Sequence, residues 1–337
     1  MVLSAAPLAA ALLVPAAAAP AAGAPAWCAP GPGLRAAALP RVVDLRACDL
    51  RGKLVKGSNG AAVTVPRDGG SVAVHTLRRD GATTLEIRVD PEARTATVGE
   101  GVSRLPEGRP RHVRTAAGAC ADSGRRLGTS RWRRGSTVSW RYYRGTVKDS
   151  GLSARRAARA VRRGVAGAFG VRTDCVKGAR SYRPKPDIRQ RYAGTTAKRP
   201  NVGPAGACEA RDGVNAFGWD SLARLEEDAL AVTCLWHRAG RTLESDMAVQ
   251  TRGKRWWTPR EPRRGGPQPV PGCPSGRYEA VAVVTHETLH ALGLRHIEGK
   301  RHEWLSMSPF VHLCDDRAAT LGKGDHRGLI ELYGARR

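Results

Sequence analysis

In the stretch THETLHALGLRH, Thr285 to His296, two histidines stand four residues apart, a glutamate follows the first, and a glycine precedes a third histidine. Spacing of four on a helix puts His286 and His290 on one face, where both imidazoles can reach a single metal ion. Glu287 is turned away from direct ligation but stays close enough to hydrogen-bond a water held by that metal. A third ligand farther along a straight helix would recede along its axis. Gly293 removes the difficulty, because glycine can adopt the left-handed conformation that ends a helix and lets the chain turn back with His296. Three neutral imidazole nitrogens and a water form the usual open catalytic zinc site. A zinc site kept only for stability would have no use for Glu287, and a buried helix with incidental histidines would not need the whole HExxHxxGxxH pattern.

These residues need a frame. Tyr278 to about Leu292 is expected to form one helix, with Val281, Val284, Ala291 and Leu292 recurring near the helical period and packing inward. Upstream, STVSWRYY reads as a strand and SGLSARRAARAVRRGVAGAFG as a helix behind an N-cap at Ser150 or Ser153. DGVNAFGW, ALAVTCLWH and RTLESDMAVQT read as further strands, followed by a Pro/Gly/Arg-rich loop from about Arg252 to Gly276. Residues 27 to about 117 hold short alternating runs, AAVTVP, SVAVHTL and TTLEIRVD, that predict a small antiparallel β module. The segment GEGVSRLPEGRPRHVRTAAG lacks periodicity and is expected to be the linker. That module is compatible with a removable pro-domain, a targeting module or a structural partner, and RPRHVR is open to trypsin-like processing. No internal repeat is present.

The chain has 337 residues, is 41% hydrophobic, and carries a net charge of +26. It is long enough for two ordinary domains with a real core. The charge predicts attraction to acidic polymers, but the basic residues, mostly arginine, are spread through every segment without interleaved aromatics. That pattern disfavours nucleic acid. The first 26 residues carry no charged side chain and end in small residues, resembling a secretory signal peptide that lacks its basic start, the alternative being a plain Ala/Pro-rich leader. Its short apolar run, interrupted by proline, argues against a membrane span, and no later stretch approaches spanning length. Eight cysteines follow, an even number with no CxxC pair. They point to an oxidising, extracytoplasmic compartment and up to four disulfides.

With these features assembled, the chain resembles the metzincin zinc peptidases, and within them the matrixin-like branch, over about Cys120 to Gly334. LSMSP supplies Met307, eleven residues after His296, at the place of the clan's methionine turn. The likeness extends to DGVNAFGWDSL, ALAVTCLWH, RTLESDMAV and TLGKGDHRGLIELYG. It implies an α+β catalytic domain, residues 118–337, with a twisted mixed sheet of about five strands and two long helices. It also implies a C-terminal subdomain below an extended cleft. The activity implied is a secreted, monomeric zinc endopeptidase acting on protein or peptide substrates, in which Glu287 activates a zinc-bound water as general base and then acid. An extended substrate would pair with the cleft-edge strand. Phe310 and Val311 would lie in the wall of the pocket for the side chain just after the cleaved bond. The sequence departs from the family at Leu289, at Ile297 and in the longer gap to Met307, and it lacks the second zinc cluster and the inhibitory thiol motif of the vertebrate enzymes. The alternative reading is a non-catalytic extracytoplasmic protein that holds a polyanion on a metzincin scaffold.

The remaining expectations concern single residues. Cys28 pairs with Cys48, and Cys273 with Cys314 to brace helix and methionine turn. Cys175–Cys208 and Cys120–Cys234 complete the set, a free Cys120 blocking the zinc being the alternative. Glu244 and Asp246 are read as a solvated strand end rather than a calcium (Ca2+) site. Trp256 and Trp257 are read as covering a sheet edge rather than holding substrate. His302 and His312 are read as loop-packing residues. His75, His112, His237 and His326 have no motif context and are assigned no role.

Overall fold

A computed structural model describes residues 25–28, 33–58, 60–104, 116–226, 228–253, 256–259, 273–274, 276–311 and 313–336. Most of the expected leader, the arginine-rich part of the linker, His112 and His312 lie outside them. Along the chain come β1 (Leu34–Arg35), β2 (Val42–Asp44), β3 (Leu54–Lys56), β4 (Ala62–Thr64), β5 (Ser71–Arg78), β6 (Gly81–Asp90) and β7 (Thr95–Arg104). The short helix α1 (Ala116–Ala121) follows, then β8 (Thr137–Tyr143), α2 (Ala154–Phe169), β9 (Arg189–Thr196), β10 (Ala216–Asp220), β11 (Ala229–Arg238) and β12 (Arg241–Gln250). The chain ends with β13 (Trp256–Trp257), β14 (Tyr278–Glu279), α3 (Ala280–Ala291) and α4 (Lys323–Tyr333).

The class is α+β, built on one nine-stranded sheet in the order β2-β7-β6-β5-β11-β12-β10-β8-β9. From β2 to β12 neighbouring strands are antiparallel, and β12-β10-β8-β9 run parallel. Five of the strands come from beyond residue 117 and four from before it. The small sheet β1-β3-β4 belongs to the N-terminal residues alone, but their larger strands join the sheet of the later residues: β5 pairs along β11 from Arg78↔Ala229 to Ser71↔His237. Burial explains the joint. Every residue of β5 and all of β11 but Arg238 are buried, so both strands need cover on two faces and two edges. The expected linker also begins later than its composition indicates, because its first residues, Gly99 to Arg104, finish β7.

Two cores flank the sheet. On one face α2 and α3 pack with Trp140, Phe217, Trp219 and Met247. On the other the small sheet β1-β3-β4 encloses Val72, Val74, Leu85 and Ile87 together with Val232, Cys234, Trp236 and Ala248. The second core thus mixes residues from both sides of the linker. Ser153, one of the two N-cap candidates, accepts from the Arg156 amide at 3.4 Å at the start of α2. Gly164 lets α2 approach α3 closely, since a Cβ there would sit 2.5 Å from Val284 Cγ1. α3 is buried along its whole length rather than on one stripe, being enclosed by α2, β11, β12 and the loops after it.

The four disulfides fit an oxidising compartment, and no described helix is long and apolar enough to cross a membrane. Cys28–Cys48 and Cys273–Cys314 form as expected. The other two pairs are Cys120–Cys175 and Cys208–Cys234, not Cys175–Cys208 and Cys120–Cys234, and no cysteine is free. Cys234 lies on β11 facing the second core, where Cys208 reaches it by bridging to Val63 beside β4. Cys120 on α1 is bonded to Cys175, which packs against the other core, that of α2 and α3.

Candidate metal centre

α3 begins at Glu279, whose carboxylate accepts from the Ala282 amide at 2.5 Å, and ends at Leu292. Gly293 follows with φ +92, and the amides of Gly293 and Leu294 return to the carbonyls of His290 and Leu289 at 2.8 and 3.0 Å. This is the Schellman arrangement, with glycine in the left-handed position. A Cβ at Gly293 would lie 2.4 Å from the Ser130 carbonyl oxygen. Gly293→Ala is expected to cost about 1–3 kcal/mol in backbone strain alone, with the steric conflict added. Urea unfolding of the variant against the wild type measures it, and equal midpoints would contradict this account of the turn.

The turn brings the three motif histidines together. The Nε2 atoms of His286, His290 and His296 lie 3.0, 3.1 and 2.9 Å from one another. His286 Nδ1 contacts the Ser306 carbonyl at 2.6 Å and His290 Nδ1 the Leu294 carbonyl at 2.9 Å. A carbonyl can only accept, so these contacts place the proton on Nδ1 and leave Nε2 as a lone pair. Burial lowers the pKa of His286 to about 4 and pushes His290 and His296 well below the usual histidine value, so the rings are neutral. Neutral nitrogens whose lone pairs converge this closely in a dry interior repel one another unless a cation stands between them. A zinc ion with Zn–N of about 2.0–2.1 Å sets ligand nitrogens about 3.3 Å apart, a few tenths wider than seen here. The residues fit such an ion.

Met307 is buried, and its carbonyl accepts from the amide of Ile297, the residue after His296, at 3.0 Å. Its segment is held by Asp325 on α4, whose carboxylate accepts from the amides of Ser306, Met307 and Gly322 at 2.9, 3.2 and 2.8 Å. The closing helix therefore fixes the Ser306 carbonyl that orients His286. Glu287 is fully buried; one oxygen accepts from the Thr233 hydroxyl at 2.5 Å, and Oε1 has no partner. Burial raises its pKa to about 8. Thr233 lies on β11, so the strand at the centre of the sheet steers the carboxylate.

His75 has a position that its sequence context did not show. Arriving on β5, it stacks on His290 with ring centroids 4.1 Å apart and planes 11° from parallel. One ring nitrogen from each of His75, His290 and His296 lies within 4.8 Å of the others, and these are the grouped metal-capable side chains found among the described residues. The other sequence candidates fall elsewhere. Val311 packs in the main core and Phe310 is half-buried. His302 is buried and meets Asp122 at 2.8 Å, while His326 stacks on Tyr182. Trp256 is fully buried and donates to the Gln250 carbonyl at 2.7 Å, consistent with a covering role.

Glu244 and Asp246 are not a solvated strand end. Both are buried, accepting from backbone amides of Asn201, Asp212, Gly213 and Ala216. They stitch the 201–216 loop to β12. Burial raises the pKa of both.

Scans of the sequence against protein-family models and against curated proteins return no match.

Proposed function

We propose that the chain is an extracytoplasmic zinc endopeptidase of the metzincin, matrixin-like kind, with His286, His290 and His296 as zinc ligands and Glu287 as general base and then acid. The observation that carries this reading is the convergence of three neutral Nε2 atoms beside a buried carboxylate oxygen with no partner. The half-sheet β11-β12-β10-β8-β9 with α2 and α3 is compatible with the architecture the resemblance implies. A zinc ion bound there would supply Lewis acidity to the scissile carbonyl and lower the pKa of a nearby water. Thr233 holds one oxygen of Glu287 and leaves the other free to take a proton from water and hand it to the leaving amine. A carboxyl raised toward neutrality suits both transfers.

One observation favours the second reading, a non-catalytic protein that holds a polyanion. Arg155, Arg156, Arg159 and Arg162 are all exposed on α2. Buried Glu287 counts against it, because polyanion binding at α2 would give that carboxyl no task. The deciding experiment uses a mixed peptide library and the zinc-loaded chain, before and after limited trypsin treatment with the trypsin then inhibited. Chelator-sensitive cleavage is expected after treatment. No cleavage in either sample, with zinc bound and heparin retaining the protein to high salt, would favour polyanion binding.

A further inference from the structure

Exposed arginines elsewhere on the chain find carboxylates: Arg51 pairs with Asp49, Arg125 with Glu331, and Arg211 and Arg238 both with Asp68. On α2 they do not. The helix carries five arginines, Arg155, Arg156, Arg159, Arg162 and Arg163, and no acidic residue. None of the five forms an ion pair among the described residues. Helical spacing sets Arg155, Arg159 and Arg162 in one row, where like charges three and four residues apart repel. Arg155 and Arg156 also stand in the first turn, the end of a helix that disfavours cations. Neither arrangement serves the helix itself.

The row forms one wall of a groove. A cavity of about 580 Å³ lies between Arg155, Arg159, Arg162 and Arg163 on α2 and Gln190 and Tyr192 on β9. A second, of about 450 Å³, continues past Arg155 and Arg159 to Ser153 and Thr258. No carboxylate lines either one. The facing wall is fixed. Trp140 Nε1 donates to Gln190 Oε1 at 2.7 Å, which leaves the Gln190 NH2 group as a donor. Arg162 lies over the Tyr192 ring, 5.2 Å from its centroid, a contact that restrains the guanidinium. β9 is the outer strand of the nine-stranded sheet, whereas α3 packs on α2 at Gly164. The groove and the metal centre therefore lie on different sides of α2 and share no residue.

We propose that this groove binds an anionic polysaccharide, its sulfate or carboxylate groups taken by the arginine row, as a second site that stands apart from the zinc reading. Its length selects a chain. From Ser153 to Arg163 the helix runs about 15 Å, enough for several charged groups in line rather than one small anion. A nucleic-acid strand stacks its bases on open aromatic faces, but here Trp140 is buried and Tyr192 is covered by Arg162. An acidic peptide needs apolar pockets for its intervening side chains, and the apolar side chains that α2 offers the groove are only Ala158 and Ala166. A polar, ring-built chain with charges at regular intervals asks for neither.

The test follows the anisotropy of a fluorescently labelled heparin octasaccharide on the full-length chain between about 0.05 and 0.2 M salt. Arg155→Gln, Arg159→Gln and Arg162→Gln combined are expected to lower the slope of log Kd against log salt by about three, near one per lost contact as for phosphate contacts. The control combines Arg41→Gln, Arg88→Gln and Arg104→Gln, which remove the same charge from exposed positions at the other end of the sheet, and its slope should stay close to that of the wild type. Equal losses in the two triple variants would overturn the site in favour of diffuse charge, as would a wild type that binds no octasaccharide at about 0.15 M salt. Equal displacement by poly-glutamate or poly-thymidine of the same charge would overturn the choice of a polysaccharide. Chelator is expected to leave the values unchanged, so a chain that holds no zinc yet binds the octasaccharide through α2 would sink the metal reading alone. If the α2 triple variant does not fold by circular dichroism, Arg159→Gln alone decides: a slope lower by about one supports the groove, and an unchanged slope overturns it.

Discussion

Glu287→Gln is expected to lower peptide hydrolysis by about 100- to 10,000-fold, the range a positioned general base supplies, while zinc content stays at the wild-type value. The expectation is positional. Glu287 is adjacent to a ligand but its oxygens are directed elsewhere, one to Thr233 and one unpaired. Glutamine keeps the size and the oxygen that accepts from Thr233, so the buried frame of α3 and β11 survives. What it removes is the ability to take up a proton. The loss should therefore fall in kcat, measured on the trypsin-treated chain with a fluorogenic peptide, with zinc quantified by mass spectrometry on the same sample. A variant with near wild-type turnover would remove Glu287 from the mechanism. A variant that lost its zinc would show that the carboxylate serves the metal instead.

The convergence of the three motif histidines was legible because its logic is local. The interval between His286 and His290 follows from helical pitch, and the need for Gly293 follows from the direction His296 must come from; both can be written down without knowing the fold. The strands β8, β10, β11 and β12 and the helix α2 were legible for a related reason, each having a burial pattern that repeats within the element. Glu244 and Asp246 show where that logic ends. Two carboxylates on a strand look solvated until a loop from 32 to 45 residues upstream is found to fold its amides onto them.

His75 shows the same limit more sharply. In SVAVHTL it is one polar residue in an alternating strand, and nothing within that segment sets it apart. Its place depends on β5 joining β11, a pairing between residues more than 150 positions apart in the chain. The sequence argued for an N-terminal module with a boundary near residue 117, and composition supports a break there. Composition has no means of showing that strands on either side of a break share one sheet. The misassigned disulfides have a similar cause. Cys208–Cys234 follows from Cys234 facing the second core, and which face a fully buried strand turns to which core is not encoded in an unbroken apolar run.

His296→Ala should lower zinc affinity by more than about 100-fold, because removing residues that merely support a metal ligand already costs about 10- to 100-fold. The wild type is expected to hold one zinc per chain. Loss of zinc should also lower stability, since binding to the folded state alone contributes about 2.7 kcal/mol at a hundredfold excess over Kd. The loop itself should survive the substitution: Arg295 remains paired with Glu86 and Glu298 with Ser103, so the alanine is held where the histidine was. The effect is therefore assignable to the lost nitrogen rather than to unravelling. Thermal unfolding with zinc and with chelator measures it, the wild-type midpoint rising strongly with zinc and that of the variant rising far less. If His296→Ala alone leaves zinc affinity unchanged, the turn at Gly293 has some purpose other than bringing a third ligand to the metal.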